Sequence, residues 1–152
     1  MILTTHMLVG ATVASKISNP FLALPLALLS HYLCDSLPHN DYSIVNISER
    51  RWNKTYRHFI EIFLDICFGA VLISLFSGNS PIIFAGAFFA IVPDGITLLS
   101  KILPQNKLAA LHQKLHNFMN NIGDLDGNKK IPVIWGISSQ ILIVLISIFL
   151  LR

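Results

Sequence analysis

The 152-residue chain is 53% apolar and only 12% charged, about half the charged fraction of an ordinary soluble domain. With a mean hydropathy of +0.63 it carries more apolar surface than one soluble core of this size can hide, so a water-soluble globule is excluded and the bilayer is the expected solvent. The net charge of +3 does not point to nucleic acid, because the basic residues are spread over several connectors instead of forming a groove-lining stripe.

In chain order, residues 2–17 and 21–37 are short apolar segments separated by Ser18-Asn19-Pro20. The proline of that turn restricts the residue before it and suits the first position of a helix, so the pair reads as a tight helical hairpin. The first segment is short for a full crossing, which tilt, local thinning or a partly re-entrant course accommodates. No Lys or Arg precedes it and no small-residue cleavage site follows, so it is not expected to be a cleaved signal. A polar connector, 40–58, leads to the segments 59–76 and 82–99. A second connector, 101–130, holds a periodic stretch at 107–119 that reads as a short interfacial helix. The last span is 131–151. The three long segments each approach the roughly 20 apolar residues that cross about 30 Å of hydrocarbon.

The expected fold is therefore all-α, a single integral-membrane domain over 1–152 built as a bundle of about five transmembrane segments. Pro38-His39 and Pro93-Asp94, near the ends of the second and fourth segments, hint at a two-helix duplication. Cys34 and Cys67 lie in apolar runs without CxxC spacing and are expected as reduced, buried thiols.

Lys and Arg in short loops are retained on the cytoplasmic side. Arg50, Arg51, Lys54 and Arg57 fall in one connector and Lys101, Lys107, Lys114, Lys129 and Lys130 in the other, leaving only Lys16 and Arg152 for the opposite face. This predicts a cytoplasmic N-terminus and an outer C-terminus. The same parity places every histidine and acidic residue at or toward the cytoplasmic end of its segment, so His6, His31, Asp35, His39, Asp41, Asp65, Asp94 and His116 share one depth although they come from separate segments. Side chains three or four apart share a helix face. His31 and Asp35 are so spaced, as are His112 and His116, while His58, Glu61 and Asp65 form a stripe on the third span.

An ionisable group inside a span costs upward of about 2.5 kcal/mol to insert and usually marks function. Imidazole and carboxylate together are ligands for zinc and for non-haem iron or manganese, and a divalent ion with an open position lowers the pKa of its bound water to about 7. The expectation is a mono- or dinuclear divalent-metal site, zinc first and manganese or iron next, drawn from those eight residues. Asp35 and Asp94 are the expected catalytic carboxylates, and Asp65 or Glu61 partners that orient imidazoles. Against it stand plainer readings: His31 and Asp35 as a hydrogen-bonded pair joining helices, the 38–41 stretch as a polar turn, Asp94 as a kink device beside Pro93, and His112 and His116 as solvated interfacial residues.

Thr5-His6 followed by Gly10-Ala11, an apolar hairpin and then Leu37-Pro38-His39-Asn40-Asp41 resembles the start of the membrane-bound metal-dependent hydrolase family, the group regulated by LexA in some bacteria. That pattern has an N-terminal Thr-His, a Pro-Asp-x-Asp-His turn and a later Thr-His-Ser motif. His6 matches the first element. Pro38 and Asp41 match the second, with His39 in place of its first acid and no histidine after Asp41. The stretch from His112 to Asn117 is a shorter analogue of the third. The resemblance is strongest over the first third of the chain. It implies a prokaryotic inner-membrane protein with a hydrolytic metal site and suits a phosphoester or lipid-linked substrate at the inner leaflet. The alternatives are a small ion-coupled transporter, suggested by the proline beside Asp94 and the hinted repeat, or a non-enzymatic scaffold whose polar groups tie helices together.

Overall fold

The computed structural model describes residues 1–40, 45–49, 51–102, 107–123 and 132–152. These residues are helical and contain no strand: α1 Leu3–Lys16, α2 Pro20–Asp35, α3 Val45–Ser48, α4 Trp52–Phe76, α5 Pro81–Ile102, α6 Lys107–Gly123 and α7 Val133–Leu151. Three of them, α4, α5 and α7, are long and apolar enough to cross a membrane. The 14 residues of α1 and 16 of α2 rise about 21 and 24 Å, less than the roughly 30 Å of a hydrocarbon core.

The hairpin begins as its sequence dictates. Pro20 is the first residue of α2, where its missing N–H costs nothing, and the Asn19 side chain caps the helix by accepting from the Phe21 N–H at 3.0 Å. The short α1 is the central element, packed against α2, α4, α5 and α7. Its small residues permit this. A Cβ on Gly10 would lie 2.5 Å from the Gly86 carbonyl oxygen, and one on Gly86 would lie 2.4 Å from Ala14 Cβ. The backbones of α1 and α5 therefore meet directly, the close approach that small residues allow where lipid supplies no hydrophobic drive.

Paired positions fix the helix directions. Thr4 meets Asp65 of α4, and Thr12 meets Ser147 of α7, so α4 and α7 run with α1. Gly10 sits against Ala90 and His6 near Asp94, so α5 runs against it, as does α2. The outer helices turn large apolar side chains outward, among them Phe63, Phe88 and Phe149, a distribution suited to lipid and not to water. The amphipathic α6 packs on α2 and α5, while Leu111, Leu115, Phe118 and Ile122, spaced along one face, are exposed.

Several expectations are corrected. The third apolar segment begins a helix at Trp52, not at 59, because Thr55 is buried and the short α3 packs against this early turn. The helix expected at 107–119 continues to Gly123. Cys67 is exposed on α4, whereas Cys34 is buried, and both are free. Pro38 lies beyond the end of α2 whereas Pro93 is inside α5, so the two dipeptides occupy unlike positions. Residue 131, expected to open the last span, lies outside the described residues.

Candidate metal centre

Four helices deliver five ionisable side chains to one place: His6 from α1, His31 and Asp35 from α2, Asp94 from α5 and His116 from α6. His31 and Asp35 are one turn apart, with His31 Nε2 3.0 Å from Asp35 Oδ2. His6 Nε2 lies 3.2 Å from Asp35 Oδ1, and His116 Nε2 lies 3.2 Å from Asp35 Oδ2. Asp94 closes the other side, 3.4 Å from His116 Nε2 and 3.9 Å from both His6 Nε2 and His31 Nε2. Each carboxylate thus faces all three imidazoles.

The facing atoms are within ion-pair range but do not adopt hydrogen-bond geometry. Both ring nitrogens of His6, Nε2 of His31 and His116, one oxygen of Asp35 and one of Asp94 are buried and lack a hydrogen-bond partner, although buried polar atoms are nearly always satisfied. Metal–ligand bonds of about 2.1 Å put neighbouring ligands about 3.0–3.4 Å apart, close to the contacts around Asp35. The ligand atoms of His6, His31 and Asp94 lie within 4.8 Å of one another, as do those of His31, Asp35 and His116. The residues present fit a divalent ion: three imidazoles supply borderline nitrogens, and two carboxylates match a 2+ charge in a site of low dielectric.

Two local features hold the rings. His31 Nδ1 is 2.9 Å from the Ala90 carbonyl, an acceptor, so in the neutral ring Nδ1 carries the proton and Nε2 presents its lone pair to the cluster. Pro93, inside α5, removes the donor for the Phe89 carbonyl, one residue before Ala90. The second feature is His112, one turn before His116. Its Nδ1 meets the Tyr32 hydroxyl and its Nε2 the Thr97 hydroxyl, each at 3.1 Å, tying α6 to α2 and α5. Burial pushes the His112 imidazole down, with the His116 charge adding to the shift. For His116 burial acts downward too, but Asp35 and Asp94 outweigh it and raise the ring to about 9.

The other expected site residues behave differently. His39 reaches Asp35 at only 3.9 Å, and its Nδ1 contacts the Leu37 carbonyl at 2.7 Å in the turn after α2. Asp65 accepts from the Thr4 N–H at 3.1 Å and from the Thr4 hydroxyl, so it anchors the start of α1, two residues before His6. Glu61, 57% exposed, pairs with His58 of its own helix at 3.4 Å, so of the expected third-span stripe Asp65 turns to α1 while Glu61 meets an imidazole outside the cluster. Asp41 lies outside the described residues. The positions that sequence reasoning missed are the Ala90 carbonyl, Tyr32 and Thr97, together with the positioning role of His112. Only the proline at 93 and the tyrosine beside His31 gave any signal of them.

A cavity of about 470 Å³ lined by α1, α4, α5 and α6 reaches Asp94 and His116; α4 and α5 both pack on α1 but make no extended contact with each other. Comparison with protein families, with characterised proteins and with solved structures finds no match to this chain. A functional reading therefore rests on the chemistry of the cluster.

Proposed function

We propose that the protein is an integral-membrane, metal-dependent hydrolase whose centre holds one divalent ion, zinc first and manganese or iron next. The observation that carries this reading is the convergence of His6, His31, His116, Asp35 and Asp94, with six buried donor atoms lacking hydrogen-bond partners. A single ion follows from His31. Both three-residue groups share it, its Nδ1 is committed to Ala90, and the one lone pair on Nε2 serves one metal.

The roles divide by exposure. Asp35 is 1% exposed and enclosed by the imidazoles, which suits a ligand. Asp94, at 26%, borders the cavity, which suits a carboxylate that meets substrate and takes the proton of an attacking water. The ion would supply Lewis-acid activation of that water and of the scissile group. The remaining residues hold geometry: Ala90 fixes the His31 tautomer and His112 seats His116.

The alternating helix directions support five membrane segments, with α1 and α2 a short central hairpin sheltered by α4, α5 and α7. The exposed apolar stripe of α6 suits a helix lying in the interface. The basic connectors favour a cytoplasmic N-terminus and an outer C-terminus. The resemblance at Thr5-His6 and Pro38 to Asp41 adds the expectation of a prokaryotic inner membrane.

The test is hydrolysis by detergent-purified protein of a panel of phosphate and carboxylate esters. Activity should disappear on chelation, return with zinc or manganese, and fall by roughly 10²–10⁴-fold in Asp94→Asn, the range of a lost acid–base group. Metal-independent hydrolysis, or an Asp94→Asn protein as active as the parent, contradicts the reading.

A further inference from the structure

The cavity beside the cluster is mostly apolar, lined by Leu3 of α1, Ile62 and Ile66 of α4 and Ile91 and Leu98 of α5. Asp94, His116 and Lys101 line the same space. On α5 the order is set by helix spacing: Ile91, Asp94, Leu98 and Lys101 recur at three and four residues and share a face. Among the described residues no carboxylate pairs with Lys101. Ile91, the Asp94 carboxylate at the edge of the cluster and Lys101 therefore share one face of α5.

Resting on the hydrolase reading above, we propose that this cleft takes the hydrocarbon chain of a lipid phosphate ester and presents its phosphate to the metal centre, with Lys101 as a second cation for the phosphate. A small water-soluble ester has no use for an isoleucine-walled cleft. A neutral lipid has no use for a lysine on the face that carries Asp94. In this proposal the hydrocarbon chain enters from the bilayer between α4 and α5, which make no extended contact with each other. In the reaction a water oxygen forms a bond to phosphorus and the bond from phosphorus to the lipid oxygen breaks. The water gives up a proton, the departing oxygen gains one, and the products are a long-chain alcohol and orthophosphate. No redox partner is required.

Gly95 provides a clean probe. It lines the cavity, and a Cβ built on it meets nothing within 4 Å, so a leucine there adds bulk at the rim of the cleft without a clash at its Cβ. The experiment compares orthophosphate release from dodecyl phosphate in non-ionic micelles and from ethyl phosphate, using zinc-loaded parent protein, Gly95→Leu and Lys101→Ala, with metal content measured on each. The proposal expects at least a tenfold preference in kcat/KM for dodecyl phosphate. It expects that preference to collapse at least tenfold in Gly95→Leu with metal content unchanged, and a raised KM in Lys101→Ala. Bound metal with equal rates on the two esters, with no release from either, or with Gly95→Leu indistinguishable from the parent overturns the lipid phosphate assignment while leaving the metal site standing. Absence of bound metal in the parent protein overturns the hydrolase reading itself.

Discussion

At the scale of single residues, the centre is governed by where protons sit. In the metal-free protein His116 is raised to about 9 by Asp35 and Asp94 against the opposing effect of burial. It therefore carries a proton at neutral pH, and a metal must displace that proton to reach Nε2. The expected outcome is release of about one proton from His116 per ion bound at pH 7, with affinity climbing about tenfold per pH unit until it levels near pH 9. Titration calorimetry in buffers of different ionisation enthalpy measures this directly, and a pH-independent affinity contradicts it. The sign for stability runs the other way. A group whose folded pKa is raised contributes stability that is fully present below its ordinary value of 6.5 and is lost as pH rises through about 9. The metal-free protein should therefore lose stability across that window.

Part of the cluster was legible at this scale: His31 and Asp35 stand at one-turn spacing, and His6, Asp94 and His116 fall toward the same end of their segments under the expected topology. Which members of the longer list converge was not legible, because that depends on how each helix is rotated and where its neighbour begins. Asp65 lies level with Thr4, where α1 starts, and is consumed there. Glu61, one turn earlier on α4, lies before the start of α1 and turns outward to His58.

Among the elements, the crossing of α1 and α5 is the joint that places His6 near Asp94. The backbones touch at Gly10 and Gly86, and a Cβ at 86 would come within 2.6 Å of the Gly10 oxygen and 2.4 Å of Ala14 Cβ. These are backbone and methyl contacts that cannot swing aside. Gly86→Val should therefore destabilise the protein by about 1–3 kcal/mol, the usual cost of overpacking, lower its thermal midpoint in detergent and reduce metal retention. An unchanged midpoint contradicts the crossing. The three long apolar helices were legible from composition. The early start of α4 was not, because Trp52 to His58 reads as a polar connector until Asn46 of α3 is seen to contact His58 at 2.9 Å.

At the scale of the whole molecule, scarce charge is sorted by position. The basic residues gather in the two connectors, and the cluster forms at that end of the bundle, where α1 begins and α2 ends. With α1, α4 and α7 running together, and α2 and α5 against them, the two termini fall on opposite sides. A reporter active only on the outer face should therefore work when fused after Arg152, and one active only in the cytoplasm should fail there. The reverse pattern contradicts the proposed topology.

The metal centre is the claim on which the rest depends, and metal analysis of protein purified gently in detergent from metal-replete cells tests it most directly. The account predicts close to one divalent ion per chain in the parent protein. It also predicts loss of that ion in His31→Ala and in Asp35→Asn, with helicity retained. A folded parent protein without stoichiometric zinc, manganese or iron, or variants that keep the full complement, would contradict it.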